Sequence, residues 1–136
     1  SISELVTAIE KSAVENRVIL IATSLEQAQK MHKRNDALMI SVNIRNEQEY
    51  NQFMNSSLPL DRLIAFTGTK LSDPELYKKI NQQGLKCILG TLGNLDRNAI
   101  KTDFEPFRSY IDMGVDVLAT DMPLKALKHV GHLKTN

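Results

Sequence analysis

Five short, β-branched apolar runs, each separated from the next by a stretch of helical periodicity, constrain this chain more than any other feature. They are "RVILIAT", "ALMISVNI", "RLIAFTGT", "LKCILGTL" and "VDVLATD". The first, short and almost continuously apolar, carries the mark of a strand buried on both faces. The intervening segments change period. "SISELVTAIEKSAVE" sets Ile2, Leu5, Val6, Ile9 and Val14 at helical spacing, which predicts a helix over residues 3–15 with Ser3 as its cap. "SLEQAQKMHKRN" opens on Ser24 as an N-cap and puts Leu25, Ala28, Met31 and His32 on one face. "NEQEYNQFMNS" is a short helix anchored by Tyr50, Phe53 and Met54. The clearest helix is "SDPELYKKINQQG": Ser72 or Asp73 caps it, Pro74 suits the first turn, Glu75 favours the dipole and Gly84 suits the C′ position. Residues 104–113 read as a further helix ending at Gly114, and "PLKALKHV" as a short one opened by Pro123.

Strands alternating with helices of this length mean a parallel sheet with right-handed crossovers. No linker, low-complexity tract or charge block divides the 136 residues, so the expectation is a single α/β unit over residues 1–136. Two architectures fit the pattern: a five-stranded doubly wound sheet, or part of a (β/α)8 barrel. Length favours the first, because a full barrel runs to about 250 residues.

Composition excludes several function classes. At 42% hydrophobic and 24% charged, the chain is of ordinary globular type. A net charge of +1, with basic residues at 30–34 and Lys78-Lys79 spread over helix faces, points to no nucleic-acid partner. The single cysteine, Cys87, can form no internal disulfide and reads as a small buried hydrophobe. No apolar stretch reaches the ~18 residues of a membrane span, and no signal-peptide pattern opens the chain. The chain begins at Ser1 without a methionine, which reads as a processed start or as part of something longer.

In either architecture the chemistry-bearing residues stand at strand C-termini. These are Thr23 and Ser24, then Ser41 and Asn43, then Thr67, Gly68, Thr69 and Lys70, then Thr91, Gly93, Asn94 and Asp96, and finally Thr120 and Asp121. A rim of hydroxyls, amides and glycines suits a polar or phosphorylated ligand, although the same residue types also cap helices and turns. "GTLGN" at residues 90–94 lacks the first glycine pair of a dinucleotide fingerprint. His129 and His132 lie three apart, a spacing a helix could turn into a metal pair, but no third ligand is near. No Ser-His-Asp or Cys-His arrangement stands out, so no residue is assigned as catalytic or metal-ligating.

"LKCILGTLGNLD" followed by "YIDMGVDVLATDMP" resembles the C-terminal end of the glycerophosphodiester phosphodiesterase family. That family closes with a Gly-Val-Asp … Thr-Asp-x-Pro strand, here Gly114-Val115-Asp116 and Thr120-Asp121-Met122-Pro123. The resemblance extends over residues 17–127, is most specific at the last strand, and includes "VILIATSLEQAQKM" as a mid-barrel strand and helix. It implies a TIM barrel of which this chain supplies the C-terminal part, reversing the preference drawn from length. Thr91, Asn94, Thr120 and Asp121 would then line the substrate side of the active-site mouth, facing a small phosphodiester. Family enzymes hydrolyse glycerophosphodiesters to glycerol phosphate and an alcohol, using a divalent cation (Mg or Ca) held by carboxylates and two histidines as acid and base. The motifs that carry those groups, His-Arg, Glu-x-Asp and a downstream His, have no counterpart here, and Gly90 stands where the family has Trp before Thr. The expectation is a barrel half that binds no metal, is inactive alone, and meets either its N-terminal half or another copy of itself. The alternative is a free-standing α/β domain that binds a small ligand or regulates.

Overall fold

The computed structural model describes residues 1–131. Its five strands are β1 (Ile19–Ile21), β2 (Met39–Asn43), β3 (Leu63–Phe66), β4 (Lys86–Gly90) and β5 (Val117–Ala119). Every neighbouring pair is parallel, and the strands lie in the order β1-β2-β3-β4-β5. A doubly wound sheet must reverse direction somewhere in its order. This sheet never does, so right-handed crossovers carry all the helices onto one face. The result is a curled half-barrel.

The helices are α1 (Ile2–Ser12), α2 (Leu25–Arg34), α3 (Glu47–Met54), α4 (Pro74–Gln82), α5 (Asn94–Ile100), α6 (Pro106–Asp112) and α7 (Pro123–Val130). Ser1, rather than Ser3, caps α1 through a capping box with Glu4. Ser24, Asn46 and Asp73 cap α2, α3 and α4. Pro74, Pro106 and Pro123 stand in first turns, where a missing N–H costs nothing. Among the described residues no helix is long and apolar enough to cross a membrane.

Register sorts the strand residues into two faces. Leu20, Ile40, Leu63, Ala65, Cys87 and Leu89 point to the helices and are buried, packed with Val6, Met31, Tyr77, Ile80 and Phe107 into one core. On the concave face, Ile21, Ser41, Ile64 and Lys86 form one row, and Asn43, Phe66, Ile88 and Val117 the next. That face is open. Ile21 is 73% exposed, and Ile19 and Val117 are about half exposed. The expectation that "RVILIAT" would be buried on both faces therefore fails: β1 is an edge strand, covered by helices on one side only.

Candidate functional site

The C-terminal ends of the strands form the mouth of the half-barrel, and two clusters are built there. The first joins β4 to β5. The Thr91 and Leu92 N–H groups both donate to the Ala119 carbonyl, which also accepts from the buried Thr91 hydroxyl at 3.3 Å. Asp96, on α5 and 2% exposed, sits beneath the turn after β5. The Thr120 hydroxyl lies 2.8 and 2.9 Å from its two carboxylate oxygens, and the Asp121 N–H donates to Oδ2 at 2.9 Å. The Met122 N–H in turn donates to Thr120 Oγ1. A buried carboxylate needs such donors to offset its desolvation. Here they pin the Thr-Asp-Met-Pro turn to the start of α5.

Of the residues expected at the substrate wall, Thr91, Thr120 and Asp121 are thus brought together. Thr91 is sealed from solvent, and the Thr120 hydroxyl is turned inward to Asp96. Asp121 is exposed, its carboxylate holding no hydrogen bond among the described residues. Asn94 opens α5 and accepts a hydrogen bond from Arg97.

The second cluster lies across β2 and β3. Arg45, just beyond β2, grips Glu49 through Nε–Oε1 at 2.8 Å and Nη2–Oε2 at 2.9 Å. The guanidinium beside it holds the Glu49 carboxyl below the usual range. The β3–α4 loop is tied down by Ser72, whose hydroxyl donates to the Arg45 carbonyl at 3.1 Å and whose N–H donates to the buried Tyr77 hydroxyl. This loop folds inward over the end of β4. A Cβ on Gly90 would stand 3.0 Å from Thr69 Cγ2 and 3.4 Å from Phe66 Cε2, so only glycine admits the loop without displacement. Between Arg45, Phe66 and the loop lies a cavity of about 420 Å3. A second, of about 190 Å3, opens toward Thr23, Asn43 and Gln52, with Glu49 on its wall.

Sequence reasoning placed Thr67, Gly68, Thr69 and Lys70 on the rim but missed Arg45 and Glu49. The available signal was an arginine just before the Asn46 cap with a glutamate four residues on. It also listed Asp96 as a rim residue without seeing it as the buried acceptor. His32, expected to lie on one face of α2 with Leu25, Ala28 and Met31, is half-buried, and its Nδ1 finds no hydrogen-bond partner. Cys87 is buried, and burial, with Asp116 nearby, pushes its thiol up to about 12, which suits packing and not nucleophilic attack. His129 lies in α7, while His132 falls outside the described residues. No three His, Cys, Asp or Glu side chains gather to hold a metal among the described residues.

Fold and mouth together define the C-terminal half of a TIM barrel. The structure is similar to the crystal structure of a glycerophosphoryl diester phosphodiesterase from Parabacteroides distasonis, with a TM-score of 0.77 and 19% sequence identity. The match covers 93% of this chain and 46% of that one, in its C-terminal part, so the chain spans about half the length of the enzyme it resembles. No family model and no curated protein matches the sequence.

Proposed function

We propose that this chain forms the substrate-side half of a phosphodiesterase barrel that hydrolyses glycerophosphodiesters to glycerol phosphate and an alcohol. The observation that carries the reading is the half-barrel likeness to a glycerophosphoryl diester phosphodiesterase, joined to a Thr-Asp-Met-Pro turn held at the mouth by Asp96. In this reading the N-terminal half supplies the acid–base histidines and the carboxylates for a divalent cation, whose chemistry is to polarise the phosphodiester. The residues of this chain bind and orient. Asp121 presents an exposed carboxylate to a substrate hydroxyl, Asn94 shapes the wall at the start of α5, and the buried Thr91 holds the end of β4 to β5. The chain alone is then inactive.

The test starts with the protein as its source cell makes it. Its intact mass and its hydrolysis of a glycerophosphodiester, with and without a chelator, are measured together. Turnover by a product near twice 15.3 kDa, lost on chelation and lowered by Asp121→Ala more than by Thr91→Ala, is the expected result. A closed, folded barrel that turns over no diester, or full turnover in both variants, would sink the reading.

A further inference from the structure

The cavity beside Arg45 has the chemistry of an oxyanion site. Phe66 and Leu71 line it together with Arg45, and Thr69 and Lys70 bring a hydroxyl and an ammonium. Lys70 is exposed and forms no ion pair among the described residues. Residues 68–71 line the same cavity, and their N–H groups donate to no acceptor among the described residues. Successive free N–H groups beside a cation make an anion-binding concavity. The loop presenting them is not slack, because the Gly68 carbonyl accepts from the Gly90 N–H at 2.9 Å and Ser72 ties the far end to Arg45 and Tyr77.

Charge sets the valence. Arg45 and Lys70 act against Glu49, which leaves one net positive charge at the cavity. The next acidic side chains, Glu47, Asp73 and Glu75, line a separate groove past Arg45; Glu47 is paired with Lys79, and Asp73 is committed to capping α4. We propose that residues 68–71, with Lys70 and Arg45, bind a small, singly charged oxyanion carried on a compact stem. A phosphodiester and a carboxylate share that chemistry. The site stands apart from the phosphodiesterase reading: it needs no second half and no turnover.

The experiment is a titration of the 15N-labelled 136-residue chain with dimethyl phosphate, sodium acetate or inorganic phosphate at fixed ionic strength and pH 8, followed by amide shifts. Saturating shifts confined to residues 68–71 are expected, weakened about tenfold or more by Lys70→Glu and unchanged by Lys125→Glu on α7. Tighter binding of dimethyl phosphate assigns a phosphodiester, and tighter acetate binding a carboxylate; either supports the site. Tighter binding of dianionic inorganic phosphate overturns the single-charge assignment. Shifts that never saturate, or that survive Lys70→Glu in a chain with unaltered circular dichroism, overturn the site itself.

Discussion

At the residue scale the most consequential side chain is Asp96. Its carboxylate is buried and accepts from both the Thr120 hydroxyl and the Asp121 N–H of the β5 turn. Asp96→Ala should leave the Thr120 hydroxyl and the Asp121 N–H without their acceptor and destabilise the fold by about 2–3 kcal/mol, read as a shifted urea midpoint. An unshifted midpoint would show that the turn is held by something else. The Arg45–Glu49 pair predicts a pH effect. Because the Glu49 carboxyl is held below its ordinary value of 4.5, the pair stabilises the fold above that value and ceases to do so as pH falls through the lower, folded one. With Arg45 largely exposed, the contribution is within about 1 kcal/mol, and Glu49→Gln should flatten the acid limb of a stability profile accordingly. Cys87 has the opposite sign. Its thiol is raised, so the unfolded chain ionises first, and stability falls as pH climbs from about 9 toward about 12. At pH 8 the folded protein should leave an aromatic disulfide reagent unreacted and consume one equivalent only after denaturant is added.

At the element scale, what was legible in the sequence followed from local physics. Pro74 with Asp73, and Gly84 with its positive φ, bound α4 as expected, and Pro123 opens α7 as expected. The short helix α5 was not legible: "NLDRNAI" has no side-chain cap, and its buried residues include the charged Asp96, whose burial is decided by Thr120 and Asp121, twenty-four and twenty-five residues away. Nor could periodicity show which face of β1 would be open, since alternation cannot distinguish a sheet wrapped by helices on both sides from one wrapped on one. The rim was legible as a set of positions but not as contacts. Gly114 offers a test of close packing between elements. Its φ is +112°, and a Cβ there would stand 2.0 Å from Asn81 Nδ2, which donates to the Gly114 carbonyl at 3.0 Å. Gly114→Ala should cost about 1–3 kcal/mol from backbone strain and the clash together. Adding Asn81→Ala to that variant should recover the clash component alone, so full recovery in the double mutant would exclude backbone strain.

At the scale of the whole molecule, the most exposed large apolar side chains, Ile21, Leu124 and Leu127, lie toward the two ends of the sheet. Ile19 and Ile21 lie on the β1 edge, Val117 lies on the β5 edge, and Leu124 and Leu127 lie on α7, which follows β5. Open strand edges with apolar flanks recruit further strands. The chain alone should therefore show a concentration-dependent mass in sedimentation and bind a hydrophobic dye. A combined Ile21→Lys and Leu127→Lys variant should reduce both. A wild-type chain that stays monomeric and dye-free at high concentration would mean that these edges are satisfied in some other way.

The strand order carries one more consequence. No paired strands are farther apart along the chain than the 29 residues between Ile88 and Val117, and each crossover returns to the strand next door. The polypeptide never crosses back over ground it has already laid down. A cut in any crossover therefore yields two pieces that meet along a single seam, with nothing to unthread. Such a molecule can be lengthened, divided or rejoined at its edges while the interior packing of each piece stays as it was.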